Sequence, residues 1–184
     1  VTGETFHALD DKIYELTEGM TVITDEKEIV SLGGIIGGMK SAVSHKTKNV
    51  LLEAAYFDPI SIASAGRKLQ INSDARYRFE RGVDPSFTLP GSHVATKMIL
   101  DLCGGQVSDA IIAGSEPSFK REIIFNPKKV NQLIGIEVDN ERQIEILKSL
   151  GFSVKTVGQK FEIIVPAWRP DIYGEVDIIE EVAR

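Results

Sequence analysis

Residues 114–120, Gly-Ser-Glu-Pro-Ser-Phe-Lys, constrain this chain more than any other stretch. They pair a glycine and a proline with small polar residues and lack apolar periodicity, so they read as a linker. The linker divides the 184 residues into two expected modules, 1–117 and 118–184. Each is small and must find its own core. Upstream, short apolar runs read as strands: 5–9 and 12–16 around an Asp10-Asp11 turn, then 20–24, 29–36 and 50–54. Asp58-Pro59 and Asp84-Pro85 each set an N-cap carboxylate before a proline at the first helical position. They open helices towards Leu69 and Cys103, and Gly104-Gly105 stops the second.

Downstream the style changes. Asn126-Pro127 caps a short helix that Gly135 ends, and Asn140 with Gln143 reads as a capping box for the next. Ile144, Leu147 and Leu150 mark that helix's buried face, and Gly151 stops it. Residues 152–157 and 161–165 then form a hairpin across Gly158-Gln159-Lys160, followed by an acidic helix. The expected fold is α+β: a mixed-sheet module, then a compact module resembling a winged helix. Net charge of −6 argues against a protein that coats nucleic acid nonspecifically, though a local basic patch stays open. One cysteine, Cys103, excludes a disulfide framework and a thiolate zinc site and fits a reducing, cytoplasmic setting. No apolar run is long enough to span a bilayer. The chain starts at Val1 without a methionine and ends inside a helix pattern, so it reads as an excised segment.

Four features carry chemistry. Gly33-Gly-Ile-Ile-Gly-Gly38-Met39-Lys40-Ser41 is not a phosphate loop, because Met39 stands where that loop needs glycine. Its paired glycines let the backbone turn sharply and let another group approach without meeting a Cβ. Glu53 lies in an aliphatic run that reads as buried strand, where a carboxylate needs a salt bridge, a ligand hydroxyl or a catalytic role. Residues 67–81 hold five bases and two acids with Tyr77 and Phe79 interleaved. They read either as a surface for an RNA backbone or as a salt-bridged face. At the C-terminus, helical spacing is expected to put Asp177, Glu180 and Glu181 on one face, with Asp171 folding back over it. Four such carboxylates suit a hard divalent ion such as Mg2+, or are simply solvated and aligned with the helix dipole. Ile178, Ile179 and Val182 form an apolar face with nothing after it to pack on. The three histidines lack metal-ligand spacing.

Three stretches together resemble the beta-subunit family of bacterial phenylalanine–tRNA ligases. They are the glycine run with residues 49–59, then Ser73-Asp-Ala-Arg-Tyr-Arg-Phe-Glu-Arg-Gly-Val-Asp-Pro85, and Val165-Pro-Ala-Trp-Arg-Pro-Asp-Ile172 leading into residues 175–184. The resemblance covers essentially the whole chain. It implies an editing module that hydrolyses tyrosine wrongly attached to tRNA(Phe), and a following module that contacts tRNA. The enzyme would be an assembly of two alpha and two beta subunits whose ATP-dependent aminoacylation site lies on the alpha subunit. The resemblance assigns Glu53 to the tyrosine hydroxyl, Ala75 to room for the ring, and Gly34 and Gly37 to the turn lining the pocket. Ser73 stands where the family often has threonine. Asp171, Asp177, Glu180 and Glu181 match a magnesium set shared with the alpha subunit, expected empty or weakly held in this segment. The family's pocket histidines would lie upstream of Val1, so weak or absent deacylation is expected of the segment alone. The rival expectation is a non-catalytic module that binds nucleic acid or a partner subunit.

Overall fold

The structure, a computed structural model, describes residues 3–184. Contacts gather the chain into two compact units. One comprises the residues up to Val83 with Phe87–Gly114, the other Ser115–Arg184 with Asp84–Ser86.

In the first unit β1 (Thr5–His7) and β2 (Ile13–Glu15) form an antiparallel hairpin. Its turn is held by Asp11 at φ 62° and by the Tyr14 hydroxyl donating to Asp10 at 2.6 Å. A second antiparallel sheet orders β3 (Val22–Thr24), β4 (Ile29–Leu32) and β5 (Ile36–Gly37). The apolar run 29–36 is therefore two strands, because Gly33-Gly34 folds it back on itself. Every strand pairing among the described residues is antiparallel. The mixed sheet expected here is not formed, since connections this short join only antiparallel neighbours. Residues 50–54, expected as a buried strand, have no regular structure, and Leu51 is 93% exposed. The run is largely exposed, and without a neighbouring strand its backbone gains no ladder.

Helix α1 (Pro59–Leu69) begins as its capping signal requires: Asp58 accepts from the Ser61 N–H at 2.8 Å. Helix α2 (Asp74–Phe79) is capped by Ser73. Pro85–Phe87 makes a 3-10 turn before α3 (Thr88–Cys103), which Gly104 ends. The core joins Phe6, Ala8, Leu16, Leu32 and Ile35 from the sheets to Ile62, Ala65 and Ile71 from α1 and the α1–α2 turn. Burying each large side chain contributes about 1.5–3 kcal/mol. Helix α3 buries none of its residues in this unit.

The second unit pairs β6 (Arg121–Phe125), β8 (Lys160–Val165) and β7 (Ser153–Val157) in that order, antiparallel. Helices α4 (Lys128–Ile134), α5 (Asn140–Ser149) and α6 (Glu175–Ala183) complete it. β6 was not read from the sequence, although Ile123 and Phe125 alternate with exposed neighbours as a half-buried strand should. The expected capping box at Asn140 is replaced by Asp139 at the N-cap, with no side-chain cap bond. Gln143 is instead buried, its amide donating to the carbonyls of Val138 at 2.8 Å and Pro127 at 3.3 Å. Ile178, Ile179 and Val182 do find a partner surface. They pack with Phe125, Phe161, Ile163 and Leu147 in one core.

Candidate functional site

The glycine turn of the first unit is the better-built of the two candidate regions. Gly34 sits at φ +67°, which favours glycine, and a Cβ there would lie 2.9 Å from Phe57 and 3.0 Å from Ile62. On Gly33 a Cβ would also meet the Phe57 ring at 2.9 Å, and on Gly37 it would meet Leu9 at 3.0 Å. The glycines thus admit this chain's own side chains. Phe57 is braced edge-on by Phe79, with ring centroids 5.1 Å apart.

Ser73 fastens α2 to this turn. Its hydroxyl donates to the Ile35 carbonyl at 2.5 Å and accepts from the Arg76 N–H at 3.0 Å. A serine has one hydroxyl proton, so none remains for a ligand; one acceptor position is left. Ala75, half-buried, follows in the first turn of α2. Gly34, Ser73 and Ala75 therefore share one neighbourhood. Glu53 lies in the irregular stretch, exposed, with no hydrogen bond or ion pair among the described residues. Desolvation by the protein around it nevertheless pushes its carboxyl above the ordinary range.

Sequence reasoning did not single out Phe57, and it placed Arg76 in the basic stretch, open between a surface for RNA and a salt-bridged face. Arg76 is nearly buried against Gly66, where a Cβ would collide with it. It bonds Glu80 at 2.9 Å and the Ile71 carbonyl at 2.6 Å. The i, i+4 spacing of Arg76 and Glu80 was the available signal. The other arginines of the basic stretch also have internal partners. Arg67 donates to the Ala63 carbonyl, Arg78 to that of Asp74, and Arg81 lies 3.7 Å over the Tyr77 ring and pairs with Glu80.

The acidic residues at the C-terminus behave differently from their spacing. Arg169 forks onto Asp171 at 2.9 and 2.7 Å and reaches Glu181 at 2.6 Å. The hydrogen bond from Arg169, opposed by desolvation, holds the Asp171 carboxyl below its usual range. Asp177 caps α6, accepting from the Tyr173 and Gly174 N–H groups at 2.8 Å each. Glu180 faces solvent while Glu181 is buried, because successive helical residues point about 100° apart. Burial pushes Glu175 up, but Lys129 and the Asn126 N–H outweigh it and hold that carboxyl low. Among the described residues no group of three or more acids, histidines or cysteines is placed to hold a metal ion. As arranged, Asp171, Asp177, Glu180 and Glu181 do not fit magnesium: two are bonded to a guanidinium and a third to backbone N–H groups.

Residues 1–104 match the B3/4 domain model, and residues 123–184 match that of the tRNA synthetase B5 domain. The chain belongs to the B3/4 domain family, with a B5 domain following in the same polypeptide. More particularly, it is similar to phenylalanine–tRNA ligase beta subunits. It is 50% identical over 182 residues to that of Paramagnetospirillum magneticum, covering 99% of this chain and 23% of the relative. It is 49% identical over 183 residues to that of Cereibacter sphaeroides, covering 99% of this chain and 22% of the relative. The chain thus spans less than a quarter of the length of these relatives. No described helix is long and apolar enough to cross a membrane.

Proposed function

We propose that this chain is the proofreading and tRNA-contacting segment of a phenylalanine–tRNA ligase beta subunit. The observation that carries this reading is near-half identity to such subunits along practically the whole chain, through both domains in order. Residues 1–117 would hydrolyse tyrosine wrongly joined to tRNA(Phe), and 118–184 would face tRNA and the alpha subunit. The setting would be the cytoplasm and an assembly of two alpha and two beta subunits, with ATP used on the alpha subunit.

The chemistry needs no nucleophile from the protein. Water adds to the ester carbonyl, the bond to the ribose oxygen breaks, and that oxygen leaves with a proton as free tRNA and tyrosine form. Glu53 would accept the phenolic O–H, which phenylalanine lacks; a site committed to such a bond discriminates by roughly 10⁴-fold or more. Ala75 leaves room for the ring. Ser73 would serve by holding the Gly34 turn in place, since its proton is already donated to Ile35. Gly34 and Gly37 present backbone where a longer side chain would intrude.

A second reading, a non-catalytic binding module, draws support from the Phe57 ring lying against Gly33 and Gly34. Glu53→Ala in the assembled enzyme separates the two. A pocket role predicts that preference for hydrolysing tyrosyl- over phenylalanyl-tRNA collapses while the unfolding midpoint stays put, as Glu53 is exposed. An unchanged preference would remove Glu53 from the pocket.

A further inference from the structure

We infer that Arg169 is the resident cation of the C-terminal carboxylate set, so that Arg169 and a divalent ion are mutually exclusive occupants of the space between Asp171 and Glu181. This inference does not depend on the hydrolytic reading.

Three observations carry it. First, the Glu181 side chain is only 9% exposed, and a carboxylate buried that far is costly unless a charge pairs with it. Arg169 supplies that charge at 2.6 Å. Second, the same guanidinium makes a two-pronged bond to Asp171, the planar geometry that arginine has and lysine lacks. Its Nη2 bonds both carboxylates, so an ion bridging them would need the place it fills. Third, the backbone around Arg169 is anchored without its side chain. A Cβ on Gly151 would lie 2.6 Å from the Trp168 ring, so that ring rests against the glycine. The Arg169 N–H bonds the Pro166 carbonyl at 3.0 Å. Arg121 donates to the carbonyls of Pro170 and Ile172 while its guanidinium stacks 4.4 Å from the Tyr173 ring. The Arg169 side chain can therefore withdraw while the turn that presents Asp171 stays. Without the guanidinium the pair of carboxylates carries −2, which a divalent ion neutralises.

The test uses the 184-residue chain, Mg2+ alone, calorimetric titration and thermal unfolding. The wild type is expected to show no heat of binding and no midpoint shift in millimolar Mg2+. Arg169→Met should unfold at a lower temperature and regain part of the loss with Mg2+. Should Arg169→Met be unfolded without the ion, its recovery on adding Mg2+ supports the inference and a failure to recover overturns it. Arg169→Lys, which keeps a charge but loses the fork, should bind Mg2+ at least about tenfold more tightly than the wild type. Equal affinity in wild type and Arg169→Lys, or an Arg169→Met midpoint equal to the wild type's, overturns the inference.

Discussion

Replacing Ser73 by alanine tests how the glycine turn is held. The wild-type hydroxyl does two jobs, capping α2 through the Arg76 N–H and satisfying the carbonyl of Ile35, a residue only 2% exposed. Losing an N-cap hydroxyl costs about 1 kcal/mol. Leaving a buried carbonyl without its partner costs about 1–3 kcal/mol more. Ser73→Ala should therefore destabilise the first unit by about 2–4 kcal/mol, whereas Ser73→Thr, which keeps the hydroxyl, should stay within about 1 kcal/mol of wild type. The two units can be followed separately. Trp168, the only tryptophan, lies in the second unit, so its fluorescence reports that unit while circular dichroism reports both. In urea, Ser73→Ala should split the transition, with an early dichroic phase and an unmoved fluorescence midpoint. A single transition within about 0.5 kcal/mol of wild type would refute the reasoning and return the hydroxyl to the pocket as a group with a proton to give.

Two further outcomes are expected. Gly151→Ala forces a side chain into a backbone at φ +88° and against the Trp168 ring, so it should cost about 1–3 kcal/mol and change Trp168 emission; unchanged stability and emission would contradict the described packing. In the second unit the Asp171 and Glu175 carboxyls are held below their ordinary values of 3.8 and 4.5. A depressed carboxyl contributes stability that is complete above its unfolded value and disappears as pH falls through its folded value. None of the three histidines lies in residues 115–184, so the urea midpoint read by Trp168 should be level from about pH 7 to 5 and fall only in more acid solution. A midpoint that rises on acidification would contradict both shifts.

Much of the fold was legible because local signals and tertiary packing agreed. Asp58-Pro59 opened a helix as written, and Gly135 ended one at φ +72°. Where they disagreed, packing decided. Gln143 carries a capping-box spacing but is buried, since its amide is needed by two carbonyls there. Residues 50–54 have strand composition and no strand beside them. The candidate site was legible in its residue types and less so in its contacts. Spacing brought Asp177, Glu180 and Glu181 within one helical turn, but it could not show that Arg169, twelve residues before Glu181, takes two of the four carboxylates. Likewise, a glycine-rich run announces a close approach without naming what approaches, here Phe57.

The strand order of the second unit also dictates how that unit assembles. β8 lies in the centre of its sheet, yet it is the last of the three strands in the chain. Only β7 can meet it locally, across the tight turn where Val157 pairs with Lys160. Hairpins of that kind close within about 1–10 microseconds. β6 must wait, because Arg121 pairs with Val165 only after both intervening helices have been bridged, and that long closure is entropically slower. A ribosome therefore releases β6 as an unpaired edge, with Ile123 and Phe125 uncovered, until residue 165 has emerged. The β7–β8 hairpin is therefore expected to form before β6 docks, and the delay between the two strands would be the unit's window of exposure to aggregation.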